Sequence, residues 1–455
     1  MSPAPTNGAP RSVDYDLTAI GCGPFNLSLA ALADGVSDVR FRAFDASPAF
    51  KWHPGLMLED SMMQTSFLAD LVSLVEPTSP FSFLNYLKEE DRMYAFYIRE
   101  QFHCRRLEHE AYLKWAVNRL DTVDFDHRVE AVEWDEARDA LALTVTSKGS
   151  SRRVLTRHAM LGLGSEPRIP EPFRGLPGDT WLHTSQYLFR QDDLSAAPSV
   201  TVVGSGQSGA EVFLNLLRRY PNKRIAWFTR TESFAPLDYT KLVLEMTTPE
   251  YMKYFHGLSR RRRDALMAEQ WRHYKGISTS TLEEIFDLLY QRRIDGTRPM
   301  PTLRFGVEVK EAVAHEGGVA LTSFHRDLDQ NFAHQTGMVI LATGYRPRAL
   351  DVIEPLRERL SFDDQGRPVI DLGHAIVADG PLAGRLFVAH ADIHTHGAAA
   401  PDLGICAYRS ALVLNRITGR PRFKLPENTA FSDFEVDPAP SATAPTADAR
   451  LESGL

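Results

Sequence analysis

Two short stretches of this 455-residue chain could hold phosphate groups. Gly21-Cys22-Gly23-Pro24-Phe25-Asn26 matches the pattern G-x-G-x-x-G except at its last position, where Asn replaces Gly. Gly204-Ser205-Gly206-Gln207-Ser208-Gly209 matches it in full. The first glycine of such a loop permits a tight turn, and the second lets the backbone approach a pyrophosphate on a helix N-terminus. The strands downstream of the two loops end differently. "DVRFRAFD" ends in Asp45, 24 residues beyond Gly21, where an acid hydrogen-bonds an unphosphorylated ribose. "RIAWFTR" ends in Arg230 with no acid at its tip, and arginine suits a 2′-phosphate that an acid would repel. A lone loop is also compatible with a nucleotide-free turn, and Arg230 with a solvated strand end. Two loops with opposite ribose partners are more specific: the pair implies FAD at the first and NADPH at the second.

A third stretch, "GAAAPDLGIC" (397–406), is nearly bare of side chains except for one carboxylate, Asp402. Pro-Asp before an apolar run is a common helix start, so Asp402 reads equally as an N-cap and as a ligand. The "HTH" histidines just before it (394–396) alternate as metal ligands can, but no carboxylate or cysteine cluster in the sequence completes a site. No metal is expected.

Periodicity places these groups on elements. Apolar runs at 16–20 and 200–203 read as strands, each leading through its glycine loop into a helical pattern. "AMLGLGSEPRIP" and "MVILATGYRP" are further apolar runs that end in glycine, and 265–293 reads as helix, clearest at "TLEEIFDLLYQRR". The fold class is α/β, with two Rossmann-like dinucleotide-binding domains, the second inserted in the first, plus a small mainly helical substrate domain. The expected boundaries are a disordered N-terminus at 1–13, a first part of the FAD-binding domain at 14–190, and an NADPH-binding domain at 191–340. The substrate-domain segments fall at about 240–300 within it. The second part of the FAD-binding domain, with the substrate loop, takes 341–436, and a disordered Pro/Ala/Thr/Ser-rich tail 437–455.

Composition excludes several classes. A net charge of −8 and a pI near 6.0 argue against a nucleic-acid binder. No apolar run reaches the length of a membrane span, and the N-terminus has no signal-peptide pattern. Three scattered cysteines give no disulfide framework and no CxxC pair, so a cytoplasmic protein is expected. Arg260 to Arg263 reads as a solvated helix face.

The segment "FKWHPGLMLEDSMMQTSFLADLVSLVEPTSPFSFLNYL" (50–87), with "GCGPFNLSLA", "GSGQSGAE", "FTR", "ATGY" and "THG", closely resembles the microbial N-hydroxylating flavin monooxygenases of siderophore biosynthesis. These hydroxylate the terminal amine of ornithine, lysine or a diamine, and the motifs occur in the family's order from Tyr15 to Gly419. The resemblance implies that NADPH reduces FAD, that O₂ adds to give a C4a-hydroperoxyflavin, and that the neutral amine attacks it. It implies cofactor contacts at Asp45, Lys51, Trp52, His53, Gln64 and Val129, at Ser205, Gly206, Gln207, Ser208 and Arg230, and at Pro401, Asp402 and Leu403. Gln64 is also the expected catalytic group. Family members are often dimers or tetramers, so a homo-oligomer is expected.

Departures from the family pattern bear on the substrate. The lysine of "MQxSFLKDL" that meets an α-carboxylate is Ala69 here, the "FxNE" asparagine falls on Leu244, and the serine after "THG" falls on Gly404. A buried carboxylate without cation or donors is strongly penalised. A diamine has none, so cadaverine or putrescine is the expected substrate, with Asp402 pairing the distal ammonium. Glu245, His273 and Thr240 are weaker neighbours of this set. The alternatives are an L-lysine or L-ornithine hydroxylase with a rearranged site, and a flavin- and NADPH-binding protein without hydroxylase activity.

Overall fold

The computed structural model describes residues 13–434 and 436. The expected tail and all of the expected lead-in except Val13 lie outside these residues. Val13 itself is buried, and its carbonyl accepts from Arg40 Nη1 at 2.8 Å, so this residue of the expected disordered lead-in is ordered.

Two large sheets, the first mixed and the second parallel, carry the molecule. The first is seven-stranded and is built on Tyr15–Ile20, which pairs in parallel with Phe41–Phe44 on one side and Ser150–Leu161 on the other. Leu386–Val388 returns from far along the chain to pair with Ser150–Leu161, so the first sheet is made from both ends of the sequence. Arg128–Asp135 and Ala140–Ser147 extend it as an antiparallel meander. The second sheet has five parallel strands: Thr302–Arg304, Arg224–Phe228, Ser199–Val203, Met338–Leu341 and Trp181–His183. Its strand Trp181–His183 lies upstream of the expected boundary at 191. The antiparallel pair Ser165–Pro167 and Tyr345–Pro347 joins the two lobes.

Strand and helix fit without side-chain space at each glycine loop. Gly21 has a φ of +85°, and a Cβ there would lie 2.3 Å from the carbonyl oxygen of Gly162 on the neighbouring strand's extension. Asn26, in place of the usual third glycine, donates from Nδ2 to the carbonyls of Gly21 (2.7 Å) and Ile20 (3.2 Å). The replacement therefore ties the end of the strand to the helix Pro24–Asp34, satisfying two buried acceptors. In the second loop Gly204 has a φ of +124°, with Ala342 O at 2.1 Å from its would-be Cβ.

The helical stretch expected at 265–293 is broken. Arg260–Glu269, Arg272–Lys275 and Thr279–Asp295 are separate helices, because Gly276 is extended and Ile277 bridges to Pro236. Ile277 N donates to Ala235 O, a non-local bond that local propensity does not encode. Among the described residues no helix is long and apolar enough to cross a membrane.

Gly21→Ala combines left-handed backbone strain with overlap against Gly162. It is expected to destabilise the fold by about 2 kcal/mol, read from the denaturant midpoint, and an unchanged midpoint would contradict the tight fit.

Candidate active site

A cavity of about 280 Å³ lies between the lobes. Trp52, His53, Gln64 and Arg106 line it from the first lobe, and Ser208, Tyr239, His273 and Tyr274 from the second. Tyr345 of the connecting pair and the loop residues Ala398, Pro401, Asp402 and Leu403 complete the wall. Residues expected to touch cofactor and residues expected to touch substrate thus share one space.

Asp402 is the cap its sequence allowed, and it also lines the cavity. Its side chain caps the turn Leu403–Ile405 by accepting from Gly404 N at 2.7 Å. Burial pushes its carboxyl above the ordinary carboxylate range, against the Gly404 N–H and the Tyr239 phenol, which hydrogen-bond it and act to lower it. Burial, then the charge of Asp402, pushes the Tyr239 phenol far up, so it is a neutral donor. Among the described residues no cation pairs with Asp402. Arg106, the cation in this wall, is committed to Glu211 at 2.9 Å.

Small residues around Asp402 have a steric reason. A Cβ on Gly404 would lie 3.0 Å from Asp402 Oδ1 and 4.0 Å from Ala69 Cβ. Gly404 and Ala69 therefore form the tight backing of the carboxylate, behind the cavity wall. Leu244 and Glu245 are elsewhere. Neither lines the cavity, and Leu244 sits in the turn Val243–Thr247. Glu245 accepts from Phe431 N at 2.9 Å, from Ser432 N at 3.0 Å and from the Ser432 hydroxyl. The structure does not bring it to the cavity, and its lone pairs hold the C-terminal segment. Thr240 is exposed and bonds Asp238, outside the wall.

His53 sits in left-handed backbone at φ 47° and is neutral, its pKa lowered to about 4 by burial and then by Arg106. His273 lines the cavity with Nδ1 unpartnered among the described residues. Gln64 donates to Ser278 Oγ at 3.2 Å and lies 3.5 Å from Gln207 Oε1. Gln207 in turn accepts from Ser278 N (2.8 Å) and donates to Glu211 Oε1 (2.9 Å). A polar chain therefore runs from Gln64 through the second glycine loop to Arg106, across the two lobes.

The loops fit their nucleotides. Asp45 accepts from Cys22 N (2.7 Å) and Ser47 N (2.8 Å), which aims the carboxylate at the first loop. Nothing lies within 4 Å of a would-be Gly23 Cβ, so the space above that helix start is open. At the second loop, Lys275 is lowered by burial and then by the nearby cations Arg168 and Arg230. Its carbonyl oxygen is 3.8 Å from a would-be Gly206 Cβ. Three cations beside one loop suit a phosphorylated ribose. Sequence reasoning found only Arg230, because Lys275 and Arg168 are far from the motif in the chain. Lys51 is exposed, and Val129 packs at the edge of the core under the first sheet.

The loop before Asp402 is pinned from beneath. Arg409, 1% exposed, donates to Ala400 O (2.9 Å) and Ala389 O, lies 3.4 Å from Asp392 Oδ2, and stacks its guanidinium over Phe25 at 5.1 Å. Asp392 also accepts from His374 Nδ1 at 2.8 Å and lies 3.5 Å from His396. A carboxylate does therefore join His396 of the "HTH" stretch in space, contrary to the sequence reading, while His394 Nε2 bonds Pro368 O at 2.8 Å. Burial alone would raise Asp392, but Arg409 and His374 hold it far below its ordinary range, while burial keeps His374 and His396 neutral. Arg409 already supplies the positive charge that this carboxylate needs. The Arg260–Arg263 run is largely solvated, with Arg260 paired to Asp364 and Arg263 donating to His256 O.

Residues 13–347 match the L-lysine 6-monooxygenase/L-ornithine 5-monooxygenase family. The chain belongs to this family. A putrescine N-hydroxylase from Shewanella oneidensis is 36% identical over 92% of this chain and 84% of its own length. An L-lysine N6-monooxygenase from Escherichia coli is 35% identical over 91% of this chain and 96% of its own. The crystal structure of a cadaverine monooxygenase of desferrioxamine biosynthesis from Erwinia amylovora, bound to FAD, superposes with a TM-score of 0.89 at 36% identity. That match covers 93% of this chain and 99% of the other. Family membership makes this chain an N-hydroxylating flavin monooxygenase. Identities of 36% and 35% do not choose a substrate, so that choice rests on the residues of the cavity.

Removing the Glu245 charge tests its reassignment in this monooxygenase. Glu245→Gln is expected to speed amide exchange at residues 431–432 while leaving the amine KM within about twofold. A tenfold rise in that KM would restore Glu245 to the substrate site.

Proposed function

We propose that this monooxygenase hydroxylates one primary amine of an aliphatic diamine, cadaverine or putrescine, in hydroxamate siderophore biosynthesis. The supporting observation is the cavity carboxylate of Asp402, capped by one N–H and matched by no cation among the described residues. An ammonium at the far end of the substrate supplies the missing charge. An α-amino acid would instead bring a carboxylate toward Asp402, without the lysine that stands in the family pattern where this chain has Ala69. Siderophore biosynthesis is supported by the likeness to the desferrioxamine enzyme of Erwinia amylovora.

The first glycine loop with Asp45 would hold FAD, and the second loop with Arg230, Lys275 and Arg168 would hold NADPH. Lys51, Trp52, His53 and Val129 are proposed contacts of FAD, and Ser205 to Ser208 of NADPH. When bound, this cofactor pair supplies the electrons and the activated oxygen for N–O bond formation. The chain's own work is orientation. Asp402 anchors the distal ammonium, which fixes the reach of the reacting amine. The aromatic and aliphatic wall limits water and favours the neutral amine. Gln64 and its chain to Gln207 and Arg106 hold the two lobes in register, and neutral His53 adds no charge that would repel the substrate.

The protein is further read as a cytoplasmic homo-oligomer. Phe286, Tyr290 and Ile294, spaced as one face of Thr279–Asp295, are each at least 60% exposed, which supports burial against another copy.

Initial rates of hydroxylamine formation with cadaverine, putrescine, lysine and ornithine test the proposal. Saturation by a diamine is expected, and saturation by lysine or ornithine alone would refute it. Asp402→Asn should raise the diamine KM at least tenfold, about 1.4 kcal/mol of lost pairing, with a smaller change in kcat. The raised carboxyl of Asp402 gives the pH dependence its sign. As pH falls through that pKa the acid becomes neutral and the diamine KM rises. Tyr239, His273, Tyr274, Arg106 and Cys406 are the titratable groups around it, and Asp402→Asn should abolish this acidic limb. Persistence of the limb in that variant would assign it to another group. Ala69→Lys should weaken diamine binding by placing a second cation beside the carboxylate.

A further inference from the structure

We propose that Arg326 is a second cation of the NADPH site, standing beside Arg230 to bind the 2′-phosphate of the adenosine ribose. This rests on the reading in which the second glycine loop holds NADPH. The two lobes present their ribose ends in the same register. Gly21 N donates to Phe44 O at 2.7 Å, and Gly204 N donates to Phe228 O at 2.8 Å. Asp45, the residue after Phe44, therefore has Thr229 as its counterpart. Asp45 accepts from the loop N–H of Cys22, whereas Thr229 is buried and carries no charge. The Thr229 hydroxyl bonds Thr231 Oγ1 at 2.7 Å, which in turn bonds Ser205 Oγ at 2.9 Å. The second lobe thus offers an unphosphorylated ribose no carboxylate at this register. It presents Arg230 between two tied threonines instead.

Arg326 arrives from outside the five parallel strands. Val307–His315, Gly318–His325 and Gln330–Thr336 form a three-stranded antiparallel sheet, inserted in the chain between Thr302–Arg304 and Met338–Leu341. The turn after Gly318–His325 is laid against the end of Arg224–Phe228 by a backbone ladder. Gly306 N donates to Thr231 O at 2.8 Å, and Arg326 N donates to Gly306 O at 2.9 Å. Arg326 Nη2 then donates to the carbonyl oxygen of Arg230 itself. That bond uses one of five guanidinium N–H groups and leaves four. Both arginines are exposed, and among the described residues neither forms an ion pair with an acid. Asp327, the acid of the same turn, packs on Gly306, with Oδ2 3.3 Å from a would-be Cβ there.

Two like charges at one strand end repel each other until an anion joins them. A phosphate monoester brings close to two negative charges and three acceptor oxygens, and guanidinium groups match those oxygens in a fork. Discrimination against NADH then has two parts: no acid for a free 2′-hydroxyl, and two cations that only the phosphate neutralises. The inserted sheet acquires a task by this reading, since its turn delivers the second cation. Arg326 lies outside the cavity wall. It is a specificity-determining residue of the cofactor site, with no part in the oxygen chemistry.

Arg326→Ala is expected to weaken binding of 2′,5′-ADP to the FAD-loaded enzyme about tenfold in calorimetry, and to leave that of 5′-AMP within about twofold. Arg326→Lys should recover part of the loss, because it keeps the charge and loses the fork. The KM for NADPH should rise in step, while the KM values for NADH and for the amine stay within about twofold. Unchanged affinity of Arg326→Ala for 2′,5′-ADP would overturn the inference. Equal losses for 2′,5′-ADP and 5′-AMP would do the same, by assigning Arg326 to packing of its turn on Arg230. An unsubstituted enzyme that binds 2′,5′-ADP no better than 5′-AMP would mark failure of NADPH at the second loop. A preference lost in Arg230→Ala but kept in Arg326→Ala would mark failure of Arg326 alone.

Discussion

A carboxylate in a partly dry wall, with no cation of its own, is the constraint around which this site is organised. Burying a charge costs several kcal/mol unless hydrogen bonds and an opposite charge offset it. At Asp402 the protein supplies a hydrogen bond, from Gly404 N–H, and leaves the opposite charge to be supplied. Asp392, ten residues earlier and fully buried, is the opposite case. There Arg409, His374 and His396 surround the carboxylate, and Arg409 supplies its opposite charge from within the protein. One acid is a structural anchor and the other is open toward a cavity, and their partners make the difference.

Much of the surrounding fold serves to hold that open acid still. Arg409 joins three things at once: the Asp392 cluster, the backbone at Ala400, and the ring of Phe25 beside the first glycine loop. The loop that carries Asp402 is therefore referenced to the same helix start that would carry the flavin pyrophosphate. On the other side, the chain Gln64–Gln207–Glu211–Arg106 references the first lobe to the second glycine loop. Reaction at an amine needs the two cofactors and the substrate in mutual register to a fraction of an ångström. Buried ionic and amide links are suited to that, because their directionality tolerates little displacement.

Departures from the family pattern act together. Ala69 and Gly404 are adjacent behind Asp402, where a larger residue at 404 would press on its carboxylate. A lysine at 69 and a side chain at 404 belong to a site built for a carboxylate ligand. In the proposed reading, their loss removes groups that would attract an anion, while Asp402 remains to attract a cation. Leu244 stands apart from this logic, since its turn lies outside the cavity wall.

From the residues alone, the two glycine loops and the α/β character were legible, because these depend on local spacing along a strand, a turn and a helix. Asp402 was legible as an acid among small residues, with cap and ligand both open. The sequence could not decide that the cap faces a cavity, that Glu245 serves the C-terminal segment, or that Lys275 and Arg168 act on the same loop as Arg230. Neither could it show Asp392 joining His374 and His396, or Tyr239 lining the same cavity as Asp402 from the other lobe. Each of these pairs residues distant in the chain, through packing of two sheets that no local pattern describes. Tertiary structure therefore decided which charges are already matched and which one faces a cavity, because neutralisation depends on distance in space and not on order along the chain.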